Sequence, residues 1–211
     1  MKMGLFISLE GIDGAGKSTQ VKRLTERLAT RGIPVVAVRE PGGTPLGEEL
    51  RALLGDPARE MEARAEACLF AAARAELVGR VIAPALEAGK VVVADRFTDS
   101  TLAYQGAGRG LPLALLRALN DFVTQGIFPD RTIIIDLPVE TALARIGMPA
   151  RRERMERLGS TFFGRVREFY LRLAAQDPAR YAVVDGNRSP EVVEADIFRL
   201  VEEALGSWIN G

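Results

Sequence analysis

A doubly wound α/β fold, with a mainly parallel sheet covered by helices on both faces, is what this sequence predicts, and three observations carry that expectation. Five short apolar runs recur along the 211 residues, at 5–9, 35–38, 91–94, 133–135 and 181–184. They are continuous rather than alternating, as strands buried on both faces are. Segments with helical spacing separate them, and parallel strands need such crossovers. The first run also leads directly into Gly11-Ile12-Asp13-Gly14-Ala15-Gly16-Lys17-Ser18-Thr19, a Gly-rich turn between a strand and a helix.

That turn has the spacing of a polyphosphate cradle. Gly11, Gly14 and Gly16 let the backbone take positive φ, so that successive N–H groups face one concavity. The helix behind it, with Val21, Leu24 and Leu28 on one face, adds its free N–H groups and the positive end of its dipole. Lys17 supplies a point charge and Ser18 a hydroxyl suited to Mg²⁺. Residues 11–19 are therefore expected to hold a polyphosphate.

The second run follows Gly32 and Pro34 and ends in a rigid loop over 39–45, after which Glu48, Leu50, Leu53 and Leu54 mark a helix. Gly55-Asp56-Pro57 breaks it, and 62–88 reads as a long Ala-rich helix bent near Gly79 or Pro84. The third strand ends on Asp95-Arg96-Phe97. Residues 106–110 read as a Gly-rich loop and 113–123 as a helix. The fourth strand ends at Asp136, 139–146 is helical, and 147–159 is Arg-rich and interrupted by Pro149. A helix over 161–175, the last strand, and a final helix with Val193, Ile197, Leu200, Val201 and Leu205 on one face complete the chain. No internal repeat or low-complexity linker divides it, so one domain over 1–211 is expected. Ligands of such sheets bind beyond the carboxyl ends of the strands. Nearly every distinctive polar segment falls at such an end.

Composition narrows the function. With 47% hydrophobic and 27% charged residues the chain can bury a sizeable core. The 28 basic and 28 acidic residues cancel, so no global field favours nucleic acid or a membrane surface. The absence of His excludes His-based catalysis and His-ligated metal. The single Cys68 cannot form an intrachain disulfide, and Glu10 arrives too early for a secretory apolar core, which points to a reducing cytoplasm. Lys occurs only at 2, 17, 22 and 90, an Arg bias that fits a GC-rich or a thermophilic source.

Three further groups carry chemistry. Asp95 at a strand end suits Mg²⁺, directly or through water, with Arg96 facing the phosphates; a strand-end salt bridge is the plainer reading. Phe70 and Arg74 share a helix face and can stack on a base and donate to its carbonyl, although a core Phe and a solvated Arg have the same spacing. Arg145, Arg151, Arg152, Arg154 and Arg157 suit either a solvated helix face or a lid that lays Arg onto a transferring group.

Taken together, these residues resemble the bacterial thymidylate kinases over essentially the whole chain. The resemblance rests on the segments 10–19, 39–44, Phe70 with Arg74, 95–100 and 103–106. It implies a P-loop kinase fold of about five parallel strands with a short lid near 147–159. It also implies transfer of the γ-phosphoryl group of ATP to dTMP, with Mg²⁺, in a homodimer. Phe70 resembles the residue that stacks on thymine, and Arg74, Thr101 and Gln105 resemble contacts to its polar edge. Arg39, Arg51 and Arg96 resemble the groups around the dTMP phosphate, with Ser100 and Tyr104 beside them. Asp13 resembles the P-loop carboxylate near the nucleotide. Ser18 and Asp95 are the expected Mg²⁺ ligands, Arg145 and Arg188 the candidate adenine-side contacts. Lys17, Asp13 and Arg96 are expected to be catalytic, together with Arg151, Arg152 and Arg154, because Gly14-Ala15 leaves the P-loop without an Arg. A kinase for another small nucleotide or nucleoside, and a P-loop switch ATPase, are the competing readings.

Overall fold

The computed structural model describes residues 4–147 and 153–210. Five strands, β1 (Phe6–Glu10), β2 (Val35–Arg39), β3 (Val91–Asp95), β4 (Arg131–Asp136) and β5 (Tyr181–Asp185), form one parallel sheet in the order β2-β3-β1-β4-β5. The chain leaves β1 for one edge, returns through β3, then crosses to β4 on the other side. That reversal opens a crevice beyond the end of β1, where the Gly-rich turn lies.

Side chains alternate across the sheet as its period of two requires. Phe6, Val92 and Ala94 pack with Leu77, Ile82 and Leu86 on one face. Ile7, Leu9, Val91 and Val93 pack with Val21, Leu24 and Leu28 of α1 (Lys17–Thr30) and with Val166 and Tyr170 of α8 (Gly159–Gln176) on the other. Each such fully buried apolar side chain contributes about 1.5–3 kcal/mol relative to exposure.

The remaining helices are α2 (Pro45–Gly55), α3 (Ala63–Leu77), α4 (Ala83–Glu87), α5 (Thr98–Thr101), α6 (Leu113–Thr124), α7 (Val139–Ile146) and α9 (Pro190–Asn210). Helix α2 starts earlier than its apolar pattern suggested, because Thr44 caps it, accepting from Gly47 N at 3.0 Å, with Pro45 at the first turn. The long Ala-rich helix, expected to bend near Gly79 or Pro84, is α3 and α4 joined by a π-helical turn at Val78–Ile82 that includes Gly79.

The expected loop at 106–110 is a correction. Helix α5, for which the sequence offered no signal, runs into a second π-helical stretch at Leu102–Gly108. Its Gly108 is there for close packing rather than for a turn, since an added Cβ would stand 2.4 Å from the Phe162 ring of α8.

Candidate functional site

Strand pairing assembles the site. Leu9 of β1 is in register with Asp95 of β3, so the turn after β1 and the Asp95-Arg96 end of β3 meet. Within the turn Gly14 has φ +80°, and a Cβ there would meet Ala142 O at 2.5 Å, so both conformation and space demand glycine. Gly16, also left-handed, opens α1. Lys17 is buried and donates from Nζ to Ile12 O at 2.9 Å. Burial, reinforced by the nearby Arg96, pushes its pKa down to about 8.

Ser18 Oγ donates to Asp95 Oδ2. A hydroxyl and a carboxylate side by side are hard oxygen donors, the set that fits Mg²⁺ when phosphates and water complete its shell. Among the described residues no group of three or more His, Cys, Asp or Glu side chains could hold a metal ion by itself.

Arg96 adopts φ +73°, a conformation that costs a non-glycine residue about 1–2 kcal/mol. It is held there by Arg96 N donating to Leu9 O at 3.1 Å and Phe97 N donating to Glu10 Oε1 at 2.7 Å. The guanidinium then reaches back to Gly11 O, Ser100 Oγ, Tyr104 Oη and Asp13 Oδ1. Burial alone would raise the pKa of Asp13, but Arg96 and Lys17 outweigh it and hold the carboxyl below its ordinary value. Beneath this network lies Glu10, completely buried, which accepts from Phe97 N, Ser100 Oγ and Tyr170 Oη. Burial and the neighbouring Asp99 push its carboxyl up to about 7.

Two cavities open on this centre. The wider cleft is walled by Gly14, Gly16, Lys17, Ser18, Thr19, Arg39, Asp95 and Arg145. The second is walled by Phe70, Arg74, Ser100, Thr101, Tyr104 and Gln105, with Leu54, Gly55 and Met155 closing one side. Asp13, Glu40, Arg51, Arg96, Glu153 and Glu156 line both. The guanidiniums of Arg51 and Arg96 are the cationic groups of this shared wall.

Several expected contacts sit differently. Ile12 and Ala15 are core residues, and Gly11 packs on Ile135 O, so these three shape the turn rather than wall the cleft. Arg39 faces the P-loop cleft with Nη2 on Glu48 at 2.8 Å. Arg145 lines that cleft and donates to Gly186 O at 3.2 Å, whereas Arg188 is paired with Asp196 at 3.0 Å away from it. Arg74 is only 1% exposed, and all five of its N–H groups are donated inside the protein. Nε and Nη2 hold Glu40, Nη2 also reaches Phe97 O, and Nη1 bonds Thr101 Oγ1 and Asn120 Oδ1. It forms part of the cavity wall.

The lid arginines divide likewise. Arg151 and Arg152 lie outside the described residues. Arg154 turns away from the phosphate cleft: Nη1 donates to Glu66 Oε2 at 2.5 Å and Nε to Leu54 O at 2.9 Å, which ties this stretch to α2 and α3. Sequence reasoning missed Glu10, Glu40 and Glu66, which act by orienting other groups. Glu66 carried a signal, since 66, 70 and 74 fall at i, i+4 and i+8 on one helix face.

A family model described as thymidylate kinase matches residues 9–197. A thymidylate kinase of Symbiobacterium thermophilum is 53% identical over 211 residues, covering 99% of this chain and 98% of its own. One from Pseudomonas fluorescens is 51% identical over 203 residues, covering 96% and 97%. The crystal structure of thymidylate kinase from Ehrlichia chaffeensis superposes with a TM-score of 0.77 at 35% identity, over 94% of this chain and 99% of that one.

Proposed function

Because this chain belongs to the thymidylate kinase family, which phosphorylates dTMP to dTDP with ATP, we propose that the P-loop cleft takes ATP and the Phe70 cavity takes dTMP. The observation that carries this is the wall the two cavities share, where the guanidiniums of Arg51 and Arg96 would stand between donor and acceptor phosphates. Phosphoryl transfer asks a protein mainly for alignment and charge stabilisation. Lys17 and Arg96 supply fixed positive charge beside the transferring group. Asp13 holds Arg96 in place. Phe70 stacks on thymine, while Thr101, Tyr104 and Gln105 define the rest of its pocket.

Ser18 and Asp95 would hold Mg²⁺, which would supply positive charge against the ATP phosphates. In the lid over 147–159, Arg151 and Arg152 would add positive charge to the transferring group. The single domain acts in the cytoplasm, a reading supported by the lone Cys68 and by the lack, among the described residues, of any helix long and apolar enough to cross a membrane. A homodimer is supported by α6, where Leu115 and Phe122, 58% and 79% exposed, stand seven residues apart on one face.

The test is coupled ADP release with and without dTMP. Turnover that requires dTMP, exceeds that with dCMP and needs Mg²⁺ is the expected result; slow hydrolysis indifferent to the acceptor would refute the assignment.

A further inference from the structure

Glu66 has no exposed surface and does not line either cavity, yet four donors converge on it. Oε1 accepts from Gln105 Nε2 at 2.9 Å and Arg109 Nε at 3.3 Å; Oε2 accepts from Arg109 Nη2 at 2.9 Å and Arg154 Nη1 at 2.5 Å. Burial pushes its pKa up, but the hydrogen bonds from Arg109, Gln105 and Arg154 outweigh burial and keep the carboxyl below its ordinary value. An ionised carboxylate can only accept. Of the two ends of the Gln105 amide, the NH₂ must therefore turn to Glu66. The carbonyl Oε1, which meets no donor among the described residues, is the end left for the cavity that Gln105 lines.

We infer that Glu66 is a specificity-determining positioning residue: by fixing the Gln105 amide it presents a hydrogen-bond acceptor to the base, which selects pyrimidines bearing N3–H. Thymine and uracil carry that proton. The N3 of cytosine is itself an acceptor and would face Oε1 lone pair to lone pair, leaving both groups buried and unsatisfied. Gln105 thus reads the N3 position of the base, and Glu66 sets the sign of that reading. The same carboxylate binds Arg154, so the residue that orients the base reader also anchors the stretch after 152. The inference rests on the Phe70 cavity being the dTMP site.

The experiment measures kcat/KM for dTMP, dUMP and dCMP in wild type, Glu66→Gln, Gln105→Met and the double variant, with thermal melting as the folding control. A neutral amide at 66 permits Gln105 to present either end. Glu66→Gln is expected to narrow the dTMP-to-dCMP ratio by at least about tenfold, the scale of one buried unsatisfied group. The dTMP-to-dUMP ratio should stay within about twofold, because both bases carry N3–H and general damage to the pocket would not respect that distinction. Gln105→Met should narrow the dCMP ratio by itself, and adding Glu66→Gln to it should change nothing more. A folded Glu66→Gln that discriminates as wild type does, or one that shifts the ratio equally in the Gln105→Met background, overturns the proposal. If Glu66→Gln does not fold, Gln105→Met decides: undiminished rejection of dCMP overturns the inference and lost rejection supports it. A wild-type protein that does not phosphorylate dTMP would instead overturn the assignment of the cavity, a failure visible before any variant is made.

Discussion

Lys17 and Glu10 are buried titratable groups whose environments act in opposite directions, and each gives a measurable outcome. Lys17→Ala is expected to fold and to lower kcat by at least about a hundredfold, the loss that follows removal of one preorganised charge. With the wild-type Lys17 pKa near 8, kcat/KM for ATP should decline as pH rises through that value, because kcat/KM reports the free enzyme. Glu10 bears on stability. Its carboxyl titrates near 7 when folded against an ordinary 4.5, so between these values the folded state binds more protons than the unfolded chain. Its contribution is therefore complete below about 4.5 and lost as pH rises through 7. Urea unfolding of Glu10→Gln should show a shallower loss of stability over that window, by on the order of 3 kcal/mol at most. Parallel pH profiles for the two proteins would show that Glu10 does not carry the effect.

Elements matter where one helix positions another's side chains. The π-helical stretch Leu102–Gly108 carries Tyr104 and Gln105 and rests on Phe162 of α8 through Gly108. Gly108→Ala is expected to cost about 1–3 kcal/mol through the clash with that ring and to raise the KM for dTMP more than that for ATP, as denaturation and steady-state kinetics would register. The stretch after 152 is tied to α3 by Arg154 and Glu66. Arg154→Met should therefore lower the melting temperature while sparing kcat, whereas loss of kcat without loss of stability is the outcome expected of Ala at Arg151 or Arg152. The reverse pattern would return Arg154 to the phosphates.

For the whole molecule the open question is the partner of α6. Leu115 and Phe122 expose apolar surface that a second copy of the chain would cover. Phe122→Asp is expected to shift sedimentation from dimer to monomer, and a wild-type protein that sediments as a monomer at micromolar concentration would remove the dimer from the proposal. The fold itself was legible because its determinants are local and repetitive: buried runs such as Val91 to Ala94 between amphipathic helices require a parallel sheet wherever they occur. The α5 and π-helical region was not, because Gly106 and Gly108 look like turn residues until Leu113 and Phe162 are seen packed on them.

By itself the sequence determined the strand-turn-helix phosphate cradle, the five parallel strands, the family, and the residue types gathered at the carboxyl ends of the strands. Those follow from spacing along the chain, since a Gly-rich turn followed by Lys and Ser has one use between a strand and a helix. Only the tertiary structure decided what each charged group does. Arg74 and Arg154 have the composition of ligand-binding residues, yet each is ion-paired inside the protein, with Glu40 and Glu66, 34 and 88 positions away. Which acceptor takes a donor depends on distances that only the folded chain sets.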